Sequence, residues 1–469
     1  MNFLQQFKCL VCDTVIDTRI GMSNRDIQPF QFACPNCENN ISFTLGEGEP
    51  VFNGAETVES NDFGTTNPFI DLHLDFPVGF GKYEIGKTAF LKITSAIGHE
   101  KYLMLNAHLN GMNYIYKHRD KLQRLITQYK QGNYNTFSNL MKELPTLKKP
   151  RSLKIQDILS ALYTATSAMS FPFTIHAHNA EISEKMPQFL HYIQKNHPKQ
   201  LNKFLDDIIG SGFLKSLHFD CLSLYPKMLD FELPSRPALY YDYDKNVDLS
   251  MIPARVSTAE FDDCNNFYKD LSEVFSRQLI IVAGLNNLLK RGDHNIFDDS
   301  VRLNKKGDLI KGFSSLNEYA NVDLGTKISG LDDSFYIVDL NALDNKLRNG
   351  IAHYKYEYKE SIQMITYYFA KEGMERTKYN ELSFMSFMRK LLLLFREVHS
   401  INHIIKPYIF TVFLSLKRKF ENSIPLFRER TGDLLIKSTD FHSTFPLLLI
   451  KATKVTLKNL RCTGRGYNY

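Results

Sequence analysis

Residues 343–353 read Leu343-Asp-Asn-Lys-Leu-Arg-Asn-Gly-Ile-Ala-His353. Leu340, Leu343, Leu347 and Ile351 recur at the three- and four-residue intervals of one helix face. Asn345, Asn349 and His353 follow one another at i, i+4 on a neighbouring polar stripe. The spacing predicts a helix, N-capped by Asp339, with Arg348, Asn349 and His353 as an Arg-Asn-x-x-x-His motif at the edge of its packed face. Gly350 inside that pattern costs about 1 kcal/mol relative to Ala, so close approach of another backbone or a substrate is expected there.

These residue types suit metal-free cleavage of RNA. An imidazole titrates near neutral pH and can take the proton of a ribose 2′-hydroxyl or return one to the departing 5′-oxygen. The forked, permanently charged guanidinium can clamp a phosphate and stabilise the charge that develops on it. Asn adds a neutral donor and acceptor that orients either partner. The same residues also fit an ordinary helix, with Asp344 pairing Arg348 one turn on and His353 against the last carbonyls.

Around the motif, amphipathic patterns run from Thr258 to Lys290 and from Leu382 to about Leu416. Tyr354, Tyr356 and Tyr358 lead into what reads as a further apolar helix, about Glu360 to Ala370. Residues 258–418 thus resemble the HEPN superfamily, whose active members carry Arg, four to six residues, then His. The resemblance implies a helical bundle and a metal-independent endoribonuclease of toxin or abortive-infection (anti-phage defence) type that leaves a 2′,3′-cyclic phosphate. Arg348 would be the phosphate clamp, Asn349 the orienting group and His353 the acid/base. Active members usually face two motifs into one cleft. With one motif per chain, a homodimer is implied, with RNA as substrate and an antitoxin or a phage-derived trigger as a further partner. The alternative is a non-catalytic nucleic-acid- or partner-binding protein whose bundle dimerises.

At the other end, Cys9-x-x-Cys12 and Cys34-x-x-Cys37 have the spacing of a zinc ribbon. Four thiolates close a tetrahedral shell with no open position, so the expected Zn2+ is structural. Pro35 and Asn36 suit the turn between ligands, and Ile41 to Leu45 follows as a strand. Met1 to Arg19 lack the apolar run of a secretory signal, so reduced thiols and a cytoplasmic location are expected. Cys221, Cys264 and Cys462 have no spacing for a second site.

With 43% hydrophobic residues, the 469-residue chain can fill real cores, which excludes a disordered protein. Its net charge of +6 is compatible with a phosphate-bearing partner without demanding one. The most apolar region, Leu391 to Leu416, is interrupted by Arg396, Glu397, His399, His403 and Lys406, so no membrane span is expected. The fold expected is mainly α: a zinc ribbon (1–48), a linker and short β segment (49–100), a helical middle region (101–257), the HEPN-like bundle (258–418) and a basic C-terminal segment (419–469). Within these, Ile70 to Phe76 and Ala89 to Thr94 read as strands, and Lys101 to Lys130, Tyr134 to Leu144, Ser152 to Ser170 and Pro187 to Ile209 as helices. Leu233 to Pro253, with three prolines, reads as an irregular connector.

Gly81-Lys-Tyr-Glu-Ile-Gly86-Lys87-Thr88 satisfies the phosphate-loop expression G-x-x-x-x-G-K-[ST], and Phe335 to Asp339 mimics an apolar strand ending in a magnesium ligand. The preceding Asp71 to Phe76 alternates like a half-exposed antiparallel strand, and no alternation of strands and helices follows, so nucleotide hydrolysis is disfavoured. His176 with His178 and His399 with His403 read as satisfied structural histidines.

Overall fold

The structure, a computed structural model, describes residues 2–420 except 47, 60–62, 145–146, 177–179, 259–260 and 371–376, with the side chains of 180–184 and 410–420 also left aside. His178, Cys462 and nearly all of the basic C-terminal segment lie outside the described residues. The chain is mainly α with a β-rich N-terminus.

Eight strands come first: β1 (Asn2–Cys9), β2 (Val15–Gly21), β3 (Gln28–Ala33), β4 (Asn40–Leu45), β5 (Phe52–Asn53), β6 (Ala55–Val58), β7 (Phe69–His73) and β8 (Val78–Gly79). A period of two marks β3, which buries Phe30 and Phe32 and leaves Pro29 and Gln31 partly exposed, whereas β2 and β7 are buried along nearly their whole length. One sheet has the order β6-β1-β2-β7, with β2 and β7 parallel, and another the order β3-β4-β5. Phe7, Ile16, Ile20, Phe32, Ile41, Phe43, Ile70 and Leu72 form one shared core, with Phe7 in ring contact with Phe32, Phe43 and Phe52. Residues 52–73, from the stretch read as linker, therefore supply strands to both sheets.

The helical part begins with α1 (Ala89–Lys130), α2 (Tyr134–Lys142), α3 (Ile155–Thr174), α4 (Ala180–Asn196), α5 (Pro198–Gly210), α6 (Phe213–Asp230) and α7 (Glu232–Leu239). After β9 (Ala254–Arg255) come α8 (Phe261–Arg291), α9 (Asp299–Arg302), α10 (Leu316–Ala320), α11 (Leu324–Ser329) and α12 (Asn345–Ala352). A meander of β10 (Tyr356–Lys359), β11 (Met364–Tyr368) and β12 (Tyr379–Ser383) leads directly into α13 (Phe384–Phe420). One continuous apolar core runs from Phe76 to Ile409. At its centre α13 packs on α8, α7 and α3.

Three local expectations are corrected. Ala89 to Thr94 opens α1 instead of forming a strand, because Thr88 caps the helix by accepting from the Leu91 amide. In place of the helix expected over Glu360 to Ala370 stand the turn after β10 and the strand β11, the middle of the meander. There Ile365 and Tyr367 are buried while their neighbours face outward, a period of two that cross-strand packing enforces over helical spacing. Leu233 to Pro253 begins as α7, where the prolines are tolerated because every residue of the helix is buried.

Buried ions lock the parts together. The fully buried Arg236 of α7 donates to Asp75 at 2.7 Å, Glu232 at 2.6 Å and Asn24 at 3.0 Å, and also to Asn113 of α1. Arg25 reaches the same Glu232 at 2.6 Å and stacks over Tyr116. Further in, Arg389 and Arg396 of α13 converge on Asp242, whose carboxyl is held below the usual range by them despite its burial.

Candidate functional site

Cys9 closes β1, and Cys12 sits in the turn to β2; Cys34 follows β3, and Cys37 sits in the turn to β4. The two turns are geometric copies. Each brings the amide of the residue after its second cysteine back to the carbonyl of its first, Asp13 to Cys9 at 3.0 Å and Glu38 to Cys34 at 2.9 Å. Asp13 and Glu38 also share a left-handed backbone, with φ of 58° and 59°. The thiols meet across the knuckles, Cys9 Sγ to Cys37 Sγ at 3.7 Å and Cys12 Sγ to Cys34 Sγ at 3.6 Å, and all four ligand atoms lie within 4.8 Å of one another. A tetrahedral zinc with bonds of about 2.3 Å has sulfur–sulfur edges of about 3.8 Å, so the donor set fits, whereas a disulfide would need about 2.05 Å. Thr14, lying against Cys12 Sγ, draws that thiol down to about 6, while burial and the neighbouring thiols hold Cys34 and Cys37 above the ordinary thiol value. The four cysteines could hold a metal ion.

The motif helix α12 is shorter than its apolar spacing implies. Its N-cap is Asp344, which accepts from the amides of Lys346 and Leu347, while Asp339 caps a separate 3-10 turn at Leu340–Ala342. Leu347 and Ile351 are buried, but Leu340 is exposed. Gly350 faces inward: a Cβ there would stand 3.2 Å from Tyr367 Cβ of β11 and 3.3 Å from the Lys355 carbonyl. The close approach foreseen at this glycine is thus made by the chain itself.

Asn349 and His353 are exposed, one turn apart, and His353 is the C-cap, its amide bonded to the Asn349 carbonyl at 3.1 Å. Arg348 is half-buried. Its guanidinium donates to Asn349 Oδ1 at 3.3 Å and pairs with Glu273 of α8, not with Asp344. Glu273 has no sequence signal, because it lies 75 residues away and meets Arg348 only through packing of α12 on α8. Beside His353, Tyr354 adopts a left-handed φ of 54° and is 77% exposed, with the Lys269 ammonium 5.3 Å from its ring centre. A bulky residue held there at a cost on the order of 1 kcal/mol marks the surface next to His353 as unusual.

The phosphate-loop lookalike follows the two-residue β8, and its Lys87 pairs with Glu84 at 2.9 Å on the surface. The strand before that, β7, is buried along most of its length and pairs in parallel with β2, so the half-exposed antiparallel strand expected there is corrected. Asp339 accepts from the Asn341 amide at 2.9 Å and ends no strand. The buried His399 bonds to Tyr225 at 3.0 Å and Ser170 at 3.3 Å, and to the exposed His403 at 3.0 Å. Among the described residues, no helix is long and apolar enough to cross a membrane. Comparison with known proteins found no matching family model, curated protein or solved structure.

Proposed function

We propose that this protein is a metal-independent RNA endonuclease of HEPN type, acting as a homodimer, with a structural zinc at its four N-terminal cysteines. The observation that carries the proposal is the placement of Asn349 and His353 together on an exposed helix end, with Arg348 bonded to Asn349. His353 would take the 2′-hydroxyl proton and return one to the leaving oxygen. Arg348 would exchange the exposed Glu273 for the scissile phosphate, whose two oxygens can accept both N–H bonds of the guanidinium fork. Tyr354 and Lys269 offer a ring and a cation beside His353 on which an unstacked base can rest.

Each chain supplies one motif, so two copies facing each other would complete the cleft. A toxin or anti-phage role fits an RNA-cutting activity kept silent until a trigger or loss of an antitoxin releases it. The Glu273 pair also favours a second reading, in which Arg348 is a structural ion-pair partner and the protein binds nucleic acid or a partner without cutting. Wild type and His353→Ala compared on RNA, with the end groups of any product identified, separates the two.

A further inference from the structure

Six arginines are buried in the described residues, and five of them hold a carboxylate: Arg19 with Asp71, Arg25 with Glu232, Arg236 with Asp75 and Glu232, and Arg389 and Arg396 with Asp242. Arg255 is the exception. It is 4% exposed, yet its Nε and Nη1 have no hydrogen-bond partner. These atoms belong to the two different forks that a guanidinium offers a bidentate acceptor. Its neighbours do not replace an anion. The Phe80 ring lies 4.4 Å from Cζ, and Asp71, the acid within electrostatic reach, is already held by Arg19. Two residues on, the hydroxyl of Ser257 is also buried and unpartnered. An unpaired buried cation is costly, and the other five sites show how this chain normally avoids the cost.

The surroundings point to the class of anion. Arg255 pairs in register with Val78 of β8, and Phe80 leads straight into the Gly81–Thr88 loop. Gly81 and Gly86 have nothing within 4 Å of where a side chain would stand, Lys87 has only the exposed Glu84 as partner, and Thr88 opens α1. The segment that continues from Phe80, the ring covering this buried, unsatisfied guanidinium, therefore carries free space, a surface cation and a helix N-terminus. We infer that Arg255 is the floor of a binding site for the phosphate of a small molecule, with Phe80 as its cover and Lys87 at its rim. The site is a binding site only and is independent of the nuclease proposal.

Three probes test it on the full-length, zinc-loaded protein: inorganic phosphate, pyrophosphate and ATP without magnesium, each against chloride at equal ionic strength. Titration calorimetry and thermal melting should show saturable binding of at least one. Arg255→Met should abolish it, and Lys87→Ala should weaken it about tenfold if the ligand carries more than one phosphate. Binding of phosphate alone would assign a single-phosphate subsite, and preference for pyrophosphate or ATP a polyphosphate site reaching Lys87. Should Arg255→Met not fold, Phe80→Ala serves in its place: it uncovers the guanidinium and should change the affinity for the same probe, whereas unchanged affinity would remove Phe80 from the site. Absence of saturable binding to all three probes, or equal binding by Arg255→Met, would overturn the inference.

Discussion

Replacing Arg236 by Met removes one of the two buried cations, with Arg25, that join the β-rich N-terminus to α7. Its neighbours would respond unequally. Glu232 keeps Arg25 at 2.6 Å, but Asp75, only 3% exposed, keeps just a 3.4 Å contact from the Asn24 amide. The cost is therefore chiefly that of one uncompensated buried carboxylate, with Asn24 and Asn113 losing a donor each. Breaking such a pair from one side costs about 3–5 kcal/mol. Hydrogen exchange followed by mass spectrometry reports it locally: peptides covering β7 and the middle of α1 should lose about two to four orders of magnitude of protection if they open as a unit. Adding Asp75→Asn should return about 1–3 kcal/mol, because the contacts are coupled and the double variant no longer strands a charge. Unchanged protection in Arg236→Met, or strictly additive losses in the double variant, would refute the ion-clamp argument.

Elemental analysis should find one zinc per chain, and Cys34→Ser should lose both the metal and the folded β-rich N-terminus; full folding without metal would count against a structural site. Lys406 is buried beside Cys221, His218 and the Tyr163 ring, and burial lowers its ammonium to about 7. The unfolded chain then holds the Lys406 proton between about pH 7 and 10, so the Lys406 contribution to stability rises with pH across that window, opposed at its upper end by the buried Cys221 thiol, which burial pushes up to about 12. Lys406→Met should flatten the slope and be the more stable form at pH 7; an identical slope in both proteins would show that Lys406 is not the cause. Gly350→Leu should cost about 1–3 kcal/mol in urea unfolding through its clash with Tyr367 and the Lys355 carbonyl, and a neutral effect would contradict that packing.

What the sequence discloses here is what is local. The cysteine knuckles are legible because two ligands and their turn lie within four residues, and the long helices because their apolar stripes repeat many times. The motif was found by spacing, but its ion pair was not, since Glu273 and Arg348 meet only after α8 and α12 pack. Tyr356, Tyr358, Ile365 and Tyr367 suit either a short helix or strands, and only pairing with β12 decides for strands. The helix α6 is not among the helices read from the sequence; burial of its apolar face carries it through Pro226 in its interior. Arg255 gives no signal at all in sequence. Its isolation appears only once the partners of the other buried arginines are assigned.

The most direct test is cleavage of a single-stranded RNA by zinc-loaded protein, with chelation mild enough to leave the cysteine site filled and with magnesium absent. If His353 and Arg348 do the chemistry, RNA is cut to 2′,3′-cyclic phosphate ends, DNA is spared for want of a 2′-hydroxyl, and His353→Ala loses a factor of about 100 to 10,000 while keeping the wild-type melting temperature. Cleavage by His353→Ala at the wild-type rate, or activity that requires magnesium and attacks DNA equally, would contradict the assignment.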